Sequence, residues 1–373
     1  MKLQYCIFFL LILNSMTFAQ ESQRAQKVIE KVSNDSQKGS FVLVPGPSYM
    51  PSTKLGLSLI GMYLFDANSG KYKNQDVNVP PSILGAFAKV TTNDSAMGAV
   101  GTQLFLGPDL WRISGGYFEG DILSEMFKVQ LDRFIDTSNE IRAVLVNVNR
   151  RVWKKLFIGF GAVWNEVIFT SEGSVPLGTS NTGFKFNLFY DTRDNTFSPT
   201  DGFFLNTRTS FYRKDLGGDD NITTIDASFS QYFSLSDNGH LFSWIYDSSF
   251  NLGDTNPNYN YNFGSRGPRG YTGKVFEGAN MLRFEGEYKY YFKSILSSRF
   301  GLAGFAGVGF VFGGRSRVGN DISSDLFDSD PLAHIGGGIR YKVLPKQNLN
   351  MRIDMAYGRE DVFTMYFALN EAI

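Results

Sequence analysis

Between residues 282 and 292 the chain alternates between apolar and charged positions. Leu282, Phe284, Gly286, Tyr288, Tyr290 and Phe292 fall on one side, and Arg283, Glu285, Glu287 and Lys289 on the other. Successive side chains of an extended strand point to opposite faces, so a period of two predicts a strand. Four charges of mixed sign behind a face of rings suit a strand that separates lipid from a wet lumen. The pattern recurs downstream and upstream. Ile225, Ala227, Phe229, Phe233 and Leu235 oppose Asp226, Ser228, Ser230 and Ser234. Leu349, Met351, Ile353, Met355 and Tyr357 oppose Asn350, Arg352 and Asp354. Phe363, Met365, Phe367 and Leu369 oppose Thr364, Tyr366 and Asn370. None of these three apolar faces carries a charge, which would cost about 2–4 kcal/mol at a bilayer midplane.

Read this way from Phe41 onward, the chain predicts about sixteen strands, an even number, with both ends on the periplasmic side. The first two are a hairpin about Pro51 and Ser52. Others are expected near 82–92, 96–106, 109–119, 139–152, 155–170, 182–192, 202–213, 222–235, 240–252, 280–293, 299–312, 331–343, 348–358 and 361–372. Pro45 and Pro47 cannot donate ladder hydrogen bonds, so the first strand is expected to be weakly paired or at a seam. Connections alternate in length. Those at Gly107–Asp109, Lys154–Lys155, Asp237–Gly239 and Ser294–Ser298 are short; 120–138, 171–181, 253–279 and 313–330 are expected to be outer loops. Short inner turns with long outer loops are the habit of transmembrane barrels. The exceptions are 66–81 and 193–201, long where short is expected.

Composition narrows the class without settling it. Of 373 residues, 19% are charged and 15% aromatic, with 35 Phe, 39 Gly and no net charge. That balance gives no argument for nucleic acid. Lys2, an apolar run from Cys6 to Leu13 and the segment Thr17-Phe18-Ala19 predict a secretory signal over 1–19. Residues 20–40 are polar and predict a short periplasmic leader, and 41–373 the barrel. Cys6 is the single cysteine and lies inside the apolar run, so the mature chain is expected to lack disulfides and a lipid anchor. Past Ala19 no stretch reaches about 18 consecutive apolar residues, so spanning by a helix is not expected.

Three places in this frame resemble the barrel of the Omp85 superfamily, the surface antigen D15 group that includes BamA and TamA. The first is the loop motif Arg269-Gly270-Tyr271 ahead of the fifth strand from the end. The second is the turn Tyr190-Asp191-Thr192-Arg193-Asp194, with Pro199 and Gly202 following. The third is the ending, Gly336-Gly337-Gly338-Ile339-Arg340-Tyr341, then Met351 to Tyr357 and an alternating last strand. The resemblance implies a loop folded back into the lumen with Arg269 at its tip, held by acidic groups on the wall. A guanidinium there needs carboxylates, and Glu285 and Glu287 lie on the lumenal side. The family's Phe-x-Asp-x-Gly pattern is matched by Phe305-Ala306-Gly307-Val308-Gly309, without its Asp. Either Glu285 or Glu287 then takes over as the carboxylate partner, or the loop is held less firmly. Gly264, Gly267, Gly270 and Gly273 would let the loop fold sharply. About twenty residues precede the first strand, too few for a POTRA module, so other chains are expected to supply that role.

Candidate chemistry is sparse. No Gly-x-Ser-x-Gly, His-Glu-x-x-His or phosphate loop occurs. His240 sits beside a turn, and His334 is expected to be a solvated lumenal histidine; a lumen-sited enzyme built on His334 is the third reading. The run Asp321–Asp330 lacks the spacing of a calcium loop. No cofactor or metal is expected. The reading is a sixteen-stranded barrel in the cell outer membrane, touching its lipid and serving protein assembly or translocation. The alternative is a passive porin-like channel.

Overall fold

In the computed structural model the described residues are 39–50, 54–68, 80–128, 131–253, 260–262, 268–271, 276–293, 299–315, 322–345, 348–359, 363–369 and 371. The expected signal segment, nearly all of the leader, the tip of the first hairpin, Gly264, Gly267, Gly273 and Asp321 lie outside them. The described residues form eighteen strands: β1 (Ser40–Met50), β2 (Lys54–Phe65), β3 (Ser82–Thr91), β4 (Ala96–Leu106), β5 (Trp111–Lys128) and β6 (Arg133–Trp153). There follow β7 (Leu156–Ser171), β8 (Leu177–Asp191), β9 (Gly202–Tyr212), β10 (Ile222–Ser236), β11 (His240–Gly253), β12 (Tyr261–Asn262) and β13 (Glu277–Gly278). The last five are β14 (Asn280–Tyr291), β15 (Phe300–Phe312), β16 (Leu332–Leu344), β17 (Leu349–Gly358) and β18 (Phe363–Leu369). Sixteen of them close an antiparallel barrel in which every strand pairs with its neighbours in chain order and β18 meets β1. The two-residue strands β12 and β13 pair with each other inside the β11–β14 connection.

Alternation produces the barrel's two faces. On β14, Glu285, Glu287 and Lys289 are buried inside while Phe284 and Tyr288 are exposed outside. On β2, Leu55, Leu57 and Leu59 face out and Ser58, Ile60 and Met62 face in. At the end where β1 begins and β18 finishes, here the near end, cations lie over rings on the outer surface. The Arg150 guanidinium is 5.3 Å from the Trp111 ring and the Lys154 ammonium 4.7 Å from that of Trp153. Such a belt belongs at a membrane interface, where an aromatic ring keeps one edge wet.

One expectation is corrected and one is refined. Residues 120–138 are not one long loop: β5 continues to Lys128 and β6 starts at Arg133, with Cα partners from Trp111↔Arg150 through Lys128↔Arg133. The first strand is also weak on one side only. β1 keeps eleven Cα partners with β2, prolines included, but among the described residues a single one with β18, Tyr49↔Met365. β17 and β18 share seven. The seam is therefore joined at the far end and unpaired toward the near end.

There the C-terminal edge rolls inward. Leu349 and Met351 share the side of Met355 and Tyr357, which face out, yet both are buried. They belong to one apolar cluster with Val42, Val44, Ile60, Met62 and Ile83 from the lumenal face of β1–β3. The outward side of this edge is thus covered by the inner side of the first strands. That explains why these strands are apolar on both faces.

Candidate functional site

Arg269 enters the lumen from the β11–β14 connection and reaches three carboxylates. Its Nη2 donates to Glu285 Oε1 at 2.7 Å, and its Nη1 to Asp354 Oδ2 at 2.8 Å. Glu287 Oε2 lies 2.7 Å from Nη2 as an ion pair off the hydrogen-bond axis. The guanidinium carbon stands 3.3 Å from the centre of the Phe305 ring, so the cation is covered by a π face as well. Burial works against the charge, but Glu285, Glu287 and Asp354 outweigh it and raise the pKa further above the ordinary arginine value.

The loop backbone is held too. Gly270 has φ 94°, in the left-handed region that favours glycine. A Cβ there would lie 2.9 Å from the Gly358 nitrogen, and one on Gly358 would lie 2.5 Å from the Gly270 oxygen. Glycine on both sides lets the loop rest directly on β17. The Gly270 N–H donates to the Tyr366 hydroxyl at 3.1 Å. Tyr271 is buried, donates to the Ala333 carbonyl at 2.5 Å and accepts from the Arg359 N–H at 3.0 Å. Its ring packs with Tyr261, Met281, Val311 and Leu332.

Around this tip the wall forms one network. Arg340 donates to Asp354 at 2.5 Å, to Glu287 at 3.1 Å and to Glu371 at 3.0 Å. Lys289 stands 3.7 Å from Glu287 and 3.6 Å from Glu371, and Arg352 pairs with Asp354. Four cations, Arg269, Arg340, Arg352 and Lys289, meet four anions, Glu285, Glu287, Asp354 and Glu371. The wall is a buried ion-pair network where the sequence suggested a solvent-lined one. Balance matters here, because a buried charge without a partner is strongly destabilising.

Small residues make room for it. A Cβ on Gly338 would lie 2.1 Å from Asp354 Oδ1, and one on Gly336 2.3 Å from the Phe305 ring. At Gly307 a Cβ would meet His334 at 2.6 Å. His334 lies across that position with its Nε2 2.6 Å from Glu285. The resembling family has its Asp at this place. Here a histidine crosses it, and the third carboxylate comes from Asp354 on β17. His334 is buried against Glu285, which corrects its reading as a solvated group. Asp354, Arg340, Arg352, Phe305 and Glu371 were not among the expected site residues. For Asp354, Arg340, Arg352 and Phe305 the signal was present in their shared lumenal parity; Glu371 lies past the last strand, with the parity of its outward residues.

The second motif forms the base and tip of the β8–β9 turn at the near end. Asp191 accepts from Arg112 at 2.7 Å and from Arg193 at 2.9 Å, and Arg112 also forks onto Asp109. The Arg193 guanidinium covers the Phe204 ring at 4.2 Å. Asp194 accepts from the Thr200 N–H and hydroxyl, and the Asn195 side chain from the Phe197 and Ser198 N–H groups. Gly202 has φ 95°, and a Cβ there would lie 2.5 Å from the Thr192 carbonyl. Phe197, Ser198 and Pro199 are buried. Among the described residues of the acidic loop, the Asp325 side chain is spent on the Phe327 and Asp328 N–H groups.

Fold and site together define a transmembrane β-barrel with a buried ion-pair network on its lumenal wall, which Arg269 of the β11–β14 connection joins. The family model of the Omp85 superfamily domain matches residues 174–357, which hold both motifs and most of the ion-pair network. The chain belongs to the Omp85 superfamily. Among solved structures it is similar to CdiB from Escherichia coli, with a TM-score of 0.59, covering 94% of this chain and 70% of that one. It is also similar to BamA from Haemophilus ducreyi lacking POTRA domains 1–3, with a TM-score of 0.57 and coverage of 89% and 69%. For CdiB from Acinetobacter baumannii the TM-score is 0.56, with coverage of 88% and 59%. Identity is 11% in each case, so the likeness is one of fold. No curated protein matches the sequence.

Proposed function

We propose that this chain is an outer-membrane barrel that works at its β1–β18 seam, as a factor or subunit in protein assembly or translocation. The observation that carries the reading is the contrast at that seam. Among the described residues one Cα pair joins β1 to β18, against eleven on the other side of β1 and seven on the other side of β18. An unpaired edge presents free N–H and C=O groups and is a template for strand addition. The clamped loop supports the same reading, since Arg269, Tyr271 and their partners fill the lumen beside the seam and keep the wall rigid while one joint stays weak. In this reading the near end faces the periplasm. Other assembly proteins supply the POTRA role and deliver the client.

The test is a lock on the seam. Tyr49→Cys and Met365→Cys are introduced together, the purified barrel is placed in liposomes, and insertion of a urea-unfolded small barrel protein is followed on gels. The reading expects the bridged protein to lose its acceleration of insertion and to recover it on reduction. Equal rates in the bridged and reduced states would overturn it.

A further inference from the structure

The β8–β9 turn, long where a short turn is expected, has a destination. From β9 the wall runs through β10, β11, β14, β15 and β16 to β17, six strands round the barrel. At about 4.8 Å per strand that is roughly 29 Å of arc. Yet the Ser198 hydroxyl accepts from the Asn350 amide of β17 at 2.7 Å and donates to Glu371, past the end of β18, at 3.3 Å. Contact between elements so far apart along a closed wall is made inside the mouth, where the turn reaches inward and meets the rolled edge of β17. Phe197, beside Ser198, joins the apolar cluster that holds Leu344, Leu349 and Met351. This segment keeps its shape through the Asp194 and Asn195 contacts and is rooted in β5 through Arg112 and Asp191.

We infer that residues 192–201 are a strap inside the periplasmic mouth, a second closure distinct from the Arg269 loop, and that Glu371 latches it. Glu371 accepts from Ser198 at 3.3 Å, from the Tyr291 hydroxyl at 2.8 Å and from Arg340 at 3.0 Å. Arg340 in turn pairs with Glu287 and Asp354, which hold Arg269. The tail of the seam strand is therefore tied to both closures. Movement of β18 out of the lumen withdraws Glu371, frees Ser198 and strips Arg340 of one carboxylate. A seam that opens thus unlatches the periplasmic mouth, whereas loss of the loop alone does not. The inference rests on the outer-membrane reading above, but its test needs no client, so failure of one leaves the other standing.

The experiment is single-channel conductance in planar bilayers. The background is the chain with 264–279 deleted, carrying Ser198→Cys and Asn350→Cys bridged by a short bis-methanethiosulfonate reagent or left reduced. Bridged protein is expected to stay at low conductance although the loop is gone. In the same deletion background with Ser198 and Asn350 intact, Glu371→Gln is expected to open to a several-fold larger, steadier pore. Because the bridged and reduced states belong to one purified protein, misfolding affects both alike, and an unheated gel shift confirms the folded barrel. A large steady pore in the deletion variant whether the strap is bridged or free would overturn the inference, as would a Glu371→Gln protein no more open than its parent.

Discussion

Arg269 sits where a lone cation would be expelled, and three carboxylates and the Phe305 ring retain it. Removing one partner of a buried pair leaves the others uncompensated, a loss of about 3–5 kcal/mol. Arg269→Ala should therefore lower the temperature at which the folded band converts on unheated gels. Arg269→Lys should fall between the two, because an ammonium keeps the charge but not the fork. An unchanged conversion temperature for Arg269→Ala would show that the network does not hold the barrel. The sequence made Arg269, Glu285 and Glu287 legible because parity places both glutamates inside. It did not single out Asp354, 85 residues from Arg269. Parity assigns a face to a residue, but it does not say which faces meet across a closed wall. His334 was misread for the same reason: a missing side chain at Gly307 on the next strand gives it room against Glu285.

At the scale of the element, β18 and its tail decide how the seam behaves. Burial alone would raise the Glu371 carboxyl, but Lys289 and Arg340 outweigh it and hold it down, to about 2. A depressed carboxyl stabilises the docked state fully above its ordinary value and loses that contribution as pH falls through its folded value. The docked tail should thus persist near pH 4.5 and come loose toward pH 2. Pepsin, which works in acid, is the probe. Cleavage within 363–369 is expected only toward the lower pH in the parent, and across the range in Glu371→Gln. Equal cleavage in both proteins at every pH would remove the latch from the account. The sixteen barrel strands were legible from alternation, but two features of the elements were not. β5 and β6 run on beyond the membrane, where outward Glu119, Asp121 and Arg142 meet water and the lipid-facing signature ends. The inward roll of β17 leaves no mark either, because Met351 is apolar whether lipid or Val42 covers it.

As a whole molecule the barrel is braced from within along β14–β17 and joined loosely at one place. The long turn that broke the expected loop parity belongs to this design, since it reaches inward to the rolled edge of β17 and meets the tail. A porin would keep its lumen open and its wall evenly paired. This chain spends its lumenal charges on one another and concentrates its weakness between the first and last strands. Free energy of local opening varies along a structure with the hydrogen bonds and packing that each segment has. Hydrogen exchange followed by mass spectrometry, on the barrel in lipid vesicles, reads that profile strand by strand. The account predicts fast exchange in residues 40–48 of β1 and 366–369 of β18, and slow exchange through β14, β15 and the β5–β6 pair. Seam strands as protected as β14 and β15 would contradict it.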